Sequence, residues 1–447
     1  MIKATELGTQ PIRHLLLKYG LPGIVAMTAS SLYNLVDSIF IGHMCGAMAL
    51  SGLAVAKPMM DICAAFGSFV GVGASTVLAI FLGERRYDSA NKVLGNVIVL
   101  NILLSSMVMV VGLVWLDPIL YLFGASDDTI LYAREYMEII LWGNILTHIY
   151  FGLNNMLRSM GHPRASMIAT LVAVVINIGL DYLFVFRLGM GVRGAALATI
   201  ISQAIAVVWQ MTIFCDTREV VHFHRGIWRL ERDITLRSLS IGLSPFLMNL
   251  AHCIVVVLFN NQLCLYGGDM ALASYGIINR FIFLFAMVVM GLNQGMQPIV
   301  GYNYGAQQYP RMLRAFRLTA LCATIVMTTA CLLGECIPRL MTQIFTHDSD
   351  LITGTIRPMR ILCSSMFLVG FQMVTGNFFT SIGMAGKAIF LSLTRQVIYL
   401  IPLILLLPTW FQNSLQGVWW SMPISDTLSA VTAAIMLICS LRQFKLS

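Results

Sequence analysis

The chain has 447 residues, of which 58% are hydrophobic and only 11% charged, with a formal net charge of +8 and a mean hydropathy of +0.81. A soluble domain carries roughly 25% charged residues, so the composition excludes a water-soluble globular protein. Nor does the basic excess point to nucleic acid, because Lys and Arg placement follows a membrane-topology pattern.

Before the first apolar stretch, the opening residues mix Lys3, Glu6, Pro11, Arg13 and His14. They are not expected to form a cleavable signal peptide, whose apolar core would precede a small-residue site. A spanning helix needs about 20 mainly apolar residues. Twelve such stretches follow, at approximately 16–41, 53–82, 93–116, 130–156, 165–186, 194–214, 238–263, 272–300, 315–334, 352–379, 388–408 and 416–440. This pattern predicts an all-α polytopic membrane protein with twelve transmembrane helices, six in each half, 1–214 and 238–447. The polar stretch 215–237 is expected to be a cytoplasmic linker, with a short amphipathic helix on the membrane surface.

With the N-terminus in the cytoplasm, most of the 28 basic residues fall on that side, among them Lys18, Arg85, Arg86, Lys92, Arg158, Arg164, Arg225, Arg229 and Arg311. The opposite loops hold Asp117, Asp127, Asp128, Asp269, Asp348 and Asp350. The expectation is a multi-pass protein of the cytoplasmic (inner) membrane with both termini cytoplasmic. His222 and His224 lack an accompanying acid or thiol cluster, so no metal site is expected there. The ten cysteines include no Cys-x-x-Cys pair and are read as small apolar residues.

The two halves are copies. Residues 20–87 lie without a gap on residues 242–309, pairing Gly20 with Gly242, Gly46 with Gly268, Gly73 with Gly295, Gly83 with Gly305 and Tyr87 with Tyr309. Asn155 with Asn377, Ser159 with Ser381 and Gly161 with Gly383 extend the register. Many secondary transporters are built this way, with the solute site where the copies meet. Pro22, Pro58, Pro245, Pro298, Pro402 and Pro423 lie in or near helices and are candidate bending points. The glycines of GSFVGVGAS (67–75) suit close helix packing.

A charge at the centre of a spanning helix costs at least about 2.5–3.5 kcal/mol, so each one asks for a reason. Asp37 on the first helix lies about 7–8 Å below its outer end. On the fifth helix Asp181 lies at similar depth, with Asn177 one turn deeper on the same face. Thr199 on the sixth helix reaches the same layer. These oxygens can serve a hard cation such as Na+, or the carboxylates can exchange a proton. Alternatively they hold helices together through Tyr33, Asn34 or Asn177, and Tyr33 and Asn34 are also candidate cleft residues. Lys57 and Asp61 are four apart and can pair. Arg280 and Arg395 could neutralise Asp426 or serve in gating, and Asn293, Gln294 and Gln297 could line the cavity or close its inner gate. Twenty-eight Met and 10% aromatic residues supply adaptable, π-rich walls that attract organic cations.

The chain resembles the multidrug and toxic compound extrusion (MATE) transporters over nearly its whole length. The resemblance rests on VDSIFIGHMCGAMALSGLAVAKP (36–58), GVGASTVLAIFLGE (71–84), NNMLRSMGHPR (154–164), NIGLDYLFVF (177–186), GVRGAALAT (191–199), GLNQGMQPIVGYNYGA (291–306), LTRQVIYLIPL (393–403) and GVWWSMPISD (417–426). It implies two bundles around a central cleft and export of cationic, often aromatic compounds by antiport with H+ or Na+, without enzymatic activity or a further cofactor. The family's cation-site residues carry over onto Asp37, Asn177, Asp181 and Thr199. Acids are absent from 238–263 and 352–379, which is similar to the DinF- or MepA-like branch. Lys57 and Asp61 stand where the resemblance implies apolar and amide residues. The expected partners are small organic cations and membrane lipid, with no nucleic acid, for a monomer. A flippase for a lipid-linked precursor would need a cleft basic enough for pyrophosphate, for which only Arg280, Arg395 and Lys57 are candidates. A polytopic prenyl-transfer enzyme would want Asp-x-x-x-Asp motifs, and the chain offers none.

Overall fold

The computed structural model describes residues 5–445, with side chains at 33–35, 38–39, 43–45, 47 and 443–445 outside the description. Every regular element among the described residues is helical, as lipid demands of a chain that must satisfy its backbone internally. The first half comprises α1 (Glu6–Thr9), α2 (Ile12–Gly83), α3 (Tyr87–Val114), α4 (Leu116–Leu122), α5 (Ile130–Trp142), α6 (Asn144–Ser159), α7 (Pro163–Asp181) with a π-helical extension (Tyr182–Arg187), and α8 (Gly191–Phe214). The second comprises α9 (Arg232–Gly305), α10 (Tyr309–Cys336), α11 (Pro338–Gln343), α12 (Ser349–Cys363), α13 (Met366–Ser381), α14 (Ala385–Leu393), a π-helical segment (Thr394–Leu400), α15 (Ile401–Trp410) and α16 (Ser414–Lys445).

The sequence repeat reappears in the backbone. Helices begin at Tyr87 and Tyr309, at Asn144 and Met366, and at Pro163 and Ala385, each pair in the register of the repeat. Arg85 and Gln307 share a left-handed conformation (φ 59 and 57), and so do Gly161 and Gly383 (φ 100 and 75). α2 has 72 residues and would measure about 108 Å if straight, more than three times the ~30 Å hydrocarbon core. It turns instead at one residue, Gly46 (φ 84, ψ 179), so that Gly8 and Gly83 both approach Tyr302. α9 breaks at the repeat partner, Gly268 (φ 61, ψ −163). The first two helices of each half are therefore joined by a single glycine, and the turn is tighter than the expected gaps 42–52 and 264–271. Two expected straight spans are interrupted: 130–156 breaks at Gly143, and 352–379 bends by 48° between α12 and α13. Twelve spans in two bundles result.

The expected surface helix within 215–237 is absent. From Cys215 to Glu231 the chain forms turns, and its last expected positions already belong to α9. The reason is competition for backbone groups. Asn91 of α3 donates to Val220 O at 3.0 Å and accepts from His222 N at 2.9 Å, and Asn96 Oδ1 accepts from Glu231 N at 3.2 Å. Lys92 pairs with Glu231 at 2.6 Å, and Val221 and Ile227 are buried. This strap is fastened to α3 instead of coiling on its own.

The halves meet backbone to backbone at the end that bears α1 and the strap. A Cβ on Gly73 would lie 1.9 Å from Ser238 O, and one on Gly242 1.7 Å from Phe69 O. The repeat partners make the mirror contact, since a Cβ on Gly295 would lie 2.5 Å from Gly20 N. Gln297 Nε2 donates to Thr76 Oγ1 at 2.8 Å across the same seam, and Arg311 holds the entry to α2 through Gln10 O at 2.6 Å. Phe246 then packs on Phe66 and Phe69, with centroids 4.8 and 5.3 Å away. Beyond these rings Asp61, Ile62, Ala65, Phe246, Asn249, Leu250 and Cys253 line a small indentation between the halves. The cleft is closed at one end and begins to open above the phenylalanines.

Overpacking a tight contact costs about 1–3 kcal/mol. Gly242→Ala should therefore lower the thermal midpoint of the detergent-solubilised protein, whereas Gly276→Ala, whose Cβ meets nothing within 4 Å, should not. Equal midpoints for the two variants would remove the seam's claimed dependence on glycine.

Candidate ion-coupling site

α7 ends at Asp181, where the backbone widens into the π-helical turn Tyr182–Arg187. Such turns occur frequently at functional sites. Asp181 is fully buried, with Asn177 2%, Thr199 7% and Asp37 6% exposed. Asn177 and Asp181 share a face of α7 by their i,i+4 spacing. α7 packs on both α8 and α2, which brings Thr199 and Asp37 to the same layer.

The polar groups are only partly satisfied. With its Nδ2 turned to the carboxylate, Asn177 donates to Asp181 Oδ2 at 3.0 Å and accepts from Thr199 N at 3.1 Å. The opposite orientation leaves only a 3.4 Å contact between Nδ2 and Thr199 Oγ1, so the first satisfies more of the amide. Thr199 Oγ1 spends its proton on Ala195 O at 3.1 Å, so toward the layer it acts as an acceptor. Asp37 Oδ1 and Asp181 Oδ1 are buried without a hydrogen-bond partner. The two carboxylates are close enough to interact electrostatically. Among the described residues neither forms an ion pair.

Removing one charge from water costs several kcal/mol unless it is paired, and two like charges together cost more. The arrangement suits a proton shared by the carboxylates or a small hard cation held by carboxylate, amide and hydroxyl oxygens. Among the described residues no group of three or more His, Cys, Asp or Glu side chains is placed to hold a metal ion. A transition-metal centre is not what these ligands resemble. The side chains of Tyr33 and Asn34, also expected near Asp37, lie outside the described residues.

The second half does not repeat this site. In the register of the repeat, Asp37 corresponds to Phe259, Asn177 to Tyr399, Asp181 to Leu403 and Thr199 to Ser421. Phe259 is fully buried and packs on Tyr275 and Trp419, with centroids 4.7 and 6.1 Å away. The second half instead carries a paired charge at a different position. Arg395, inside the π-helical segment, holds Asp426 through Nε and Oδ1 at 2.7 Å. Ser365 donates to Asp426 Oδ2 at 3.1 Å, and Ser425 donates to Arg395 O at 2.8 Å. Of the two arginines expected to neutralise Asp426, Arg395 does so. Arg280 is exposed on α9.

Asn293, Gln294 and Gln297 lie at the seam between the halves. Asn293 O accepts from Asn377 Nδ2 at 3.0 Å. Gln297 reaches α2 as described above, and Gln294 Nε2 donates to Met27 Sδ at 2.9 Å. Gln294 Oε1 also accepts from Arg158 Nη1 at 2.8 Å, while Arg158 donates as well to Asn155. Sequence reasoning counted Arg158 only as a topological charge. Its signal was the neighbouring amide pair Asn154 and Asn155 one turn before it on α6.

Comparison with known proteins adds the family context. A model of the MatE family matches residues 22–183 and 241–406. The multidrug export protein MepA of Staphylococcus aureus (strain MSSA476) is 26% identical over 426 residues, covering 95% of this chain and 93% of that protein. The MepA of Staphylococcus haemolyticus (strain JCSC1435) is 27% identical over 431 residues, with 96% and 93% covered. The solved structure of the MATE multidrug transporter DinF-BH is 36% identical, with a TM-score of 0.90 and 98% of each chain covered. A MATE protein in the bent conformation shares the fold, with a TM-score of 0.93 at 22% identity over 99% of this chain and 98% of that one.

Arg395→Met alone leaves the Asp426 carboxylate without its counter-charge, a loss of up to about 3–5 kcal/mol when such a pair is buried. The double variant Arg395→Met/Asp426→Leu should regain most of that stability. Thermal unfolding of the three proteins tests this, and purely additive losses would mean that the pair is not coupled.

Proposed function

Because the chain belongs to the MatE family, whose model spans both of its halves, we propose that it is an ion-coupled antiporter that exports cationic, often aromatic compounds across the cytoplasmic membrane. H+ or Na+ is the driving ion. The observation that carries this reading is the pair of buried carboxylate oxygens without partners, Asp37 Oδ1 and Asp181 Oδ1, in a layer that also holds Asn177 and Thr199. A cation or proton relieves a charge that the fold itself leaves uncompensated, so occupancy and vacancy differ strongly in energy. That difference is what lets an ion gradient shift a conformational equilibrium.

The conformational element lies beside the site. Asp181 stands at the junction of α-helical and π-helical turns, where a change in local charge has a nearby backbone rearrangement to drive. Tyr33, Asn34, Arg280 and Arg395 are assigned to the cleft, and Asn293, Gln294 and Gln297 to its closed end. The basic residues Arg85, Arg86, Arg225, Arg229 and Arg311 cluster toward the strap-bearing end, whereas Asp127, Asp128, Asp348 and Asp350 belong to the other. By the positive-inside rule the strap-bearing end faces the cytoplasm, so the arrangement described corresponds to an outward-opening state. An ion that occupies the first half and a drug that occupies the cleft then exchange across the membrane.

Asp37→Asn is expected to abolish gradient-driven efflux while leaving membrane insertion intact. Everted vesicles loaded with a fluorescent organic cation and challenged separately with a pH gradient and a Na+ gradient read out both coupling and direction. Unchanged efflux by Asp37→Asn would reject the site, and transport that ignores both gradients would reject the antiport.

A further inference from the structure

The inside of the first half holds a second set of polar side chains, outside the carboxylate layer. Toward the strap-bearing end from Asp181 and Asn177, the buried face of α7 carries Thr170 and Ser166, 7% and 1% exposed. Tyr150 of α6 donates to Thr170 Oγ1 at 3.2 Å, and Asn154 of α6 donates to the same oxygen at 3.0 Å. Ser166 donates in turn to Asn154 Oδ1, and its backbone N–H donates to His162 O at 3.1 Å. His162 Nε2 stands 3.0 Å from Glu219 Oε2 of the strap, at the end assigned to the cytoplasm. Nearer the layer, Thr147 of α6 donates to Gln203 Oε1 of α8 at 2.6 Å, and Gln203 lies one turn from Thr199. From Asp181 to Glu219, each polar group is therefore in contact with the next or within one turn of it on the same helix, where neighbours are about 5–6 Å apart.

Buried hydroxyls and amides also hold spanning helices together, and a packing role of that kind would be expected in both copies of the fold. The second half does not keep the series. Leu403, Val369, Gly376, Ala388 and Met384 take the repeat positions of Asp181, Thr147, Asn154, Ser166 and His162. Ser392, in the position of Thr170, pairs with Ser244 of α9 at 2.9 Å instead. The polar series thus accompanies the carboxylates. We propose that it is the route by which the coupling proton passes from Asp181 to the cytoplasm, inside the first half and apart from the cleft. This rests on the antiport reading above and fixes its ion as H+. Each hydroxyl along the series accepts a proton on a lone pair and releases its own. The amides of Gln203 and Asn154 hold the hydroxyls in line, and water carries the transfer across the one-turn intervals. Asp181 ends as a carboxylate, and the proton reaches the His162 and Glu219 pair and then bulk water. Thr147 and Tyr150 direct their hydroxyl protons to Gln203 and Thr170, on different helices. The series is therefore broken at that interval in the outward-opening state, so the gradient is not short-circuited, and it joins only in the opposite state.

In proteoliposomes, ethidium transport driven by a pH gradient requires release of the proton, whereas exchange of ethidium for ethidium at equal pH does not. Thr170→Val, which replaces the hydroxyl by a methyl group, is expected to lose most of the pH-driven transport and to keep the exchange. Thr170→Ser, which retains the hydroxyl, is expected to keep both. A purely structural role would slow the two modes together, and that result overturns the proposal. So does pH-driven transport that is undiminished in Thr170→Val. Should Thr170→Val fail to assemble, Asn154→Leu decides by the same comparison. Unmodified protein driven by a Na+ gradient but not by a pH gradient would overturn this proposal and leave the antiport reading standing. Transport that responds to neither gradient would overturn both.

Discussion

The structure depends on contact between two backbones with nothing in between. Glycines at Gly23, Gly73, Gly242, Gly291 and Gly295 let α2 and α9 approach until a single methyl group would collide with a peptide unit. Lipid offers no hydrophobic drive between helices, so association rests on packing of this kind. The duplicated sequence makes each such contact twice, once from each half. Because one end of the cleft is closed by fit and not by a bulky plug, small relative rotations of the halves can make or break it.

Duplication of the fold did not bring duplication of the chemistry. The layer that holds Asp37, Asn177, Asp181 and Thr199 in the first half holds Phe259, Tyr399, Leu403 and Ser421 in the second. Phe259 fills its position with a buried ring against Tyr275 and Trp419, and the second half keeps its own charge as the closed Arg395–Asp426 pair. One half therefore presents uncompensated oxygens and the other a self-contained ion pair. The π-helical segments differ in the same way, since Thr394–Leu400 does not fall in the repeat position of Tyr182–Arg187.

Much of this was legible because apolar length and glycine placement are local quantities. The repeat marked Gly46 and Gly268 as equivalent, although not that each would turn the chain by itself. The interruptions at Gly143 and between Cys363 and Met366 were hidden inside continuous apolar runs, where tertiary packing decides whether a helix bends. Depth along three helices assembled the candidate layer, but it could not say which oxygens would lack partners, because that depends on how an amide such as Asn177 is oriented. The strap was misjudged for a similar reason. Residues 215–231 carry aromatic and basic residues in a pattern that suits a surface helix, and only the third dimension shows Asn91 and Asn96 claiming their backbone groups. Arg158 looked like a loop charge until Gln294 appeared opposite it.

The fastening of the strap to α3 has a mechanical consequence. It is the covalent link between the two halves, and Lys92, Asn91 and Asn96 clamp it up to Glu231, one residue before α9 begins. No slack remains for α9 to translate away from α3. The second half is left to swivel about that anchorage as a lever about a fulcrum, so the amplitude of motion is least beside the strap and grows toward the far mouth of the cleft.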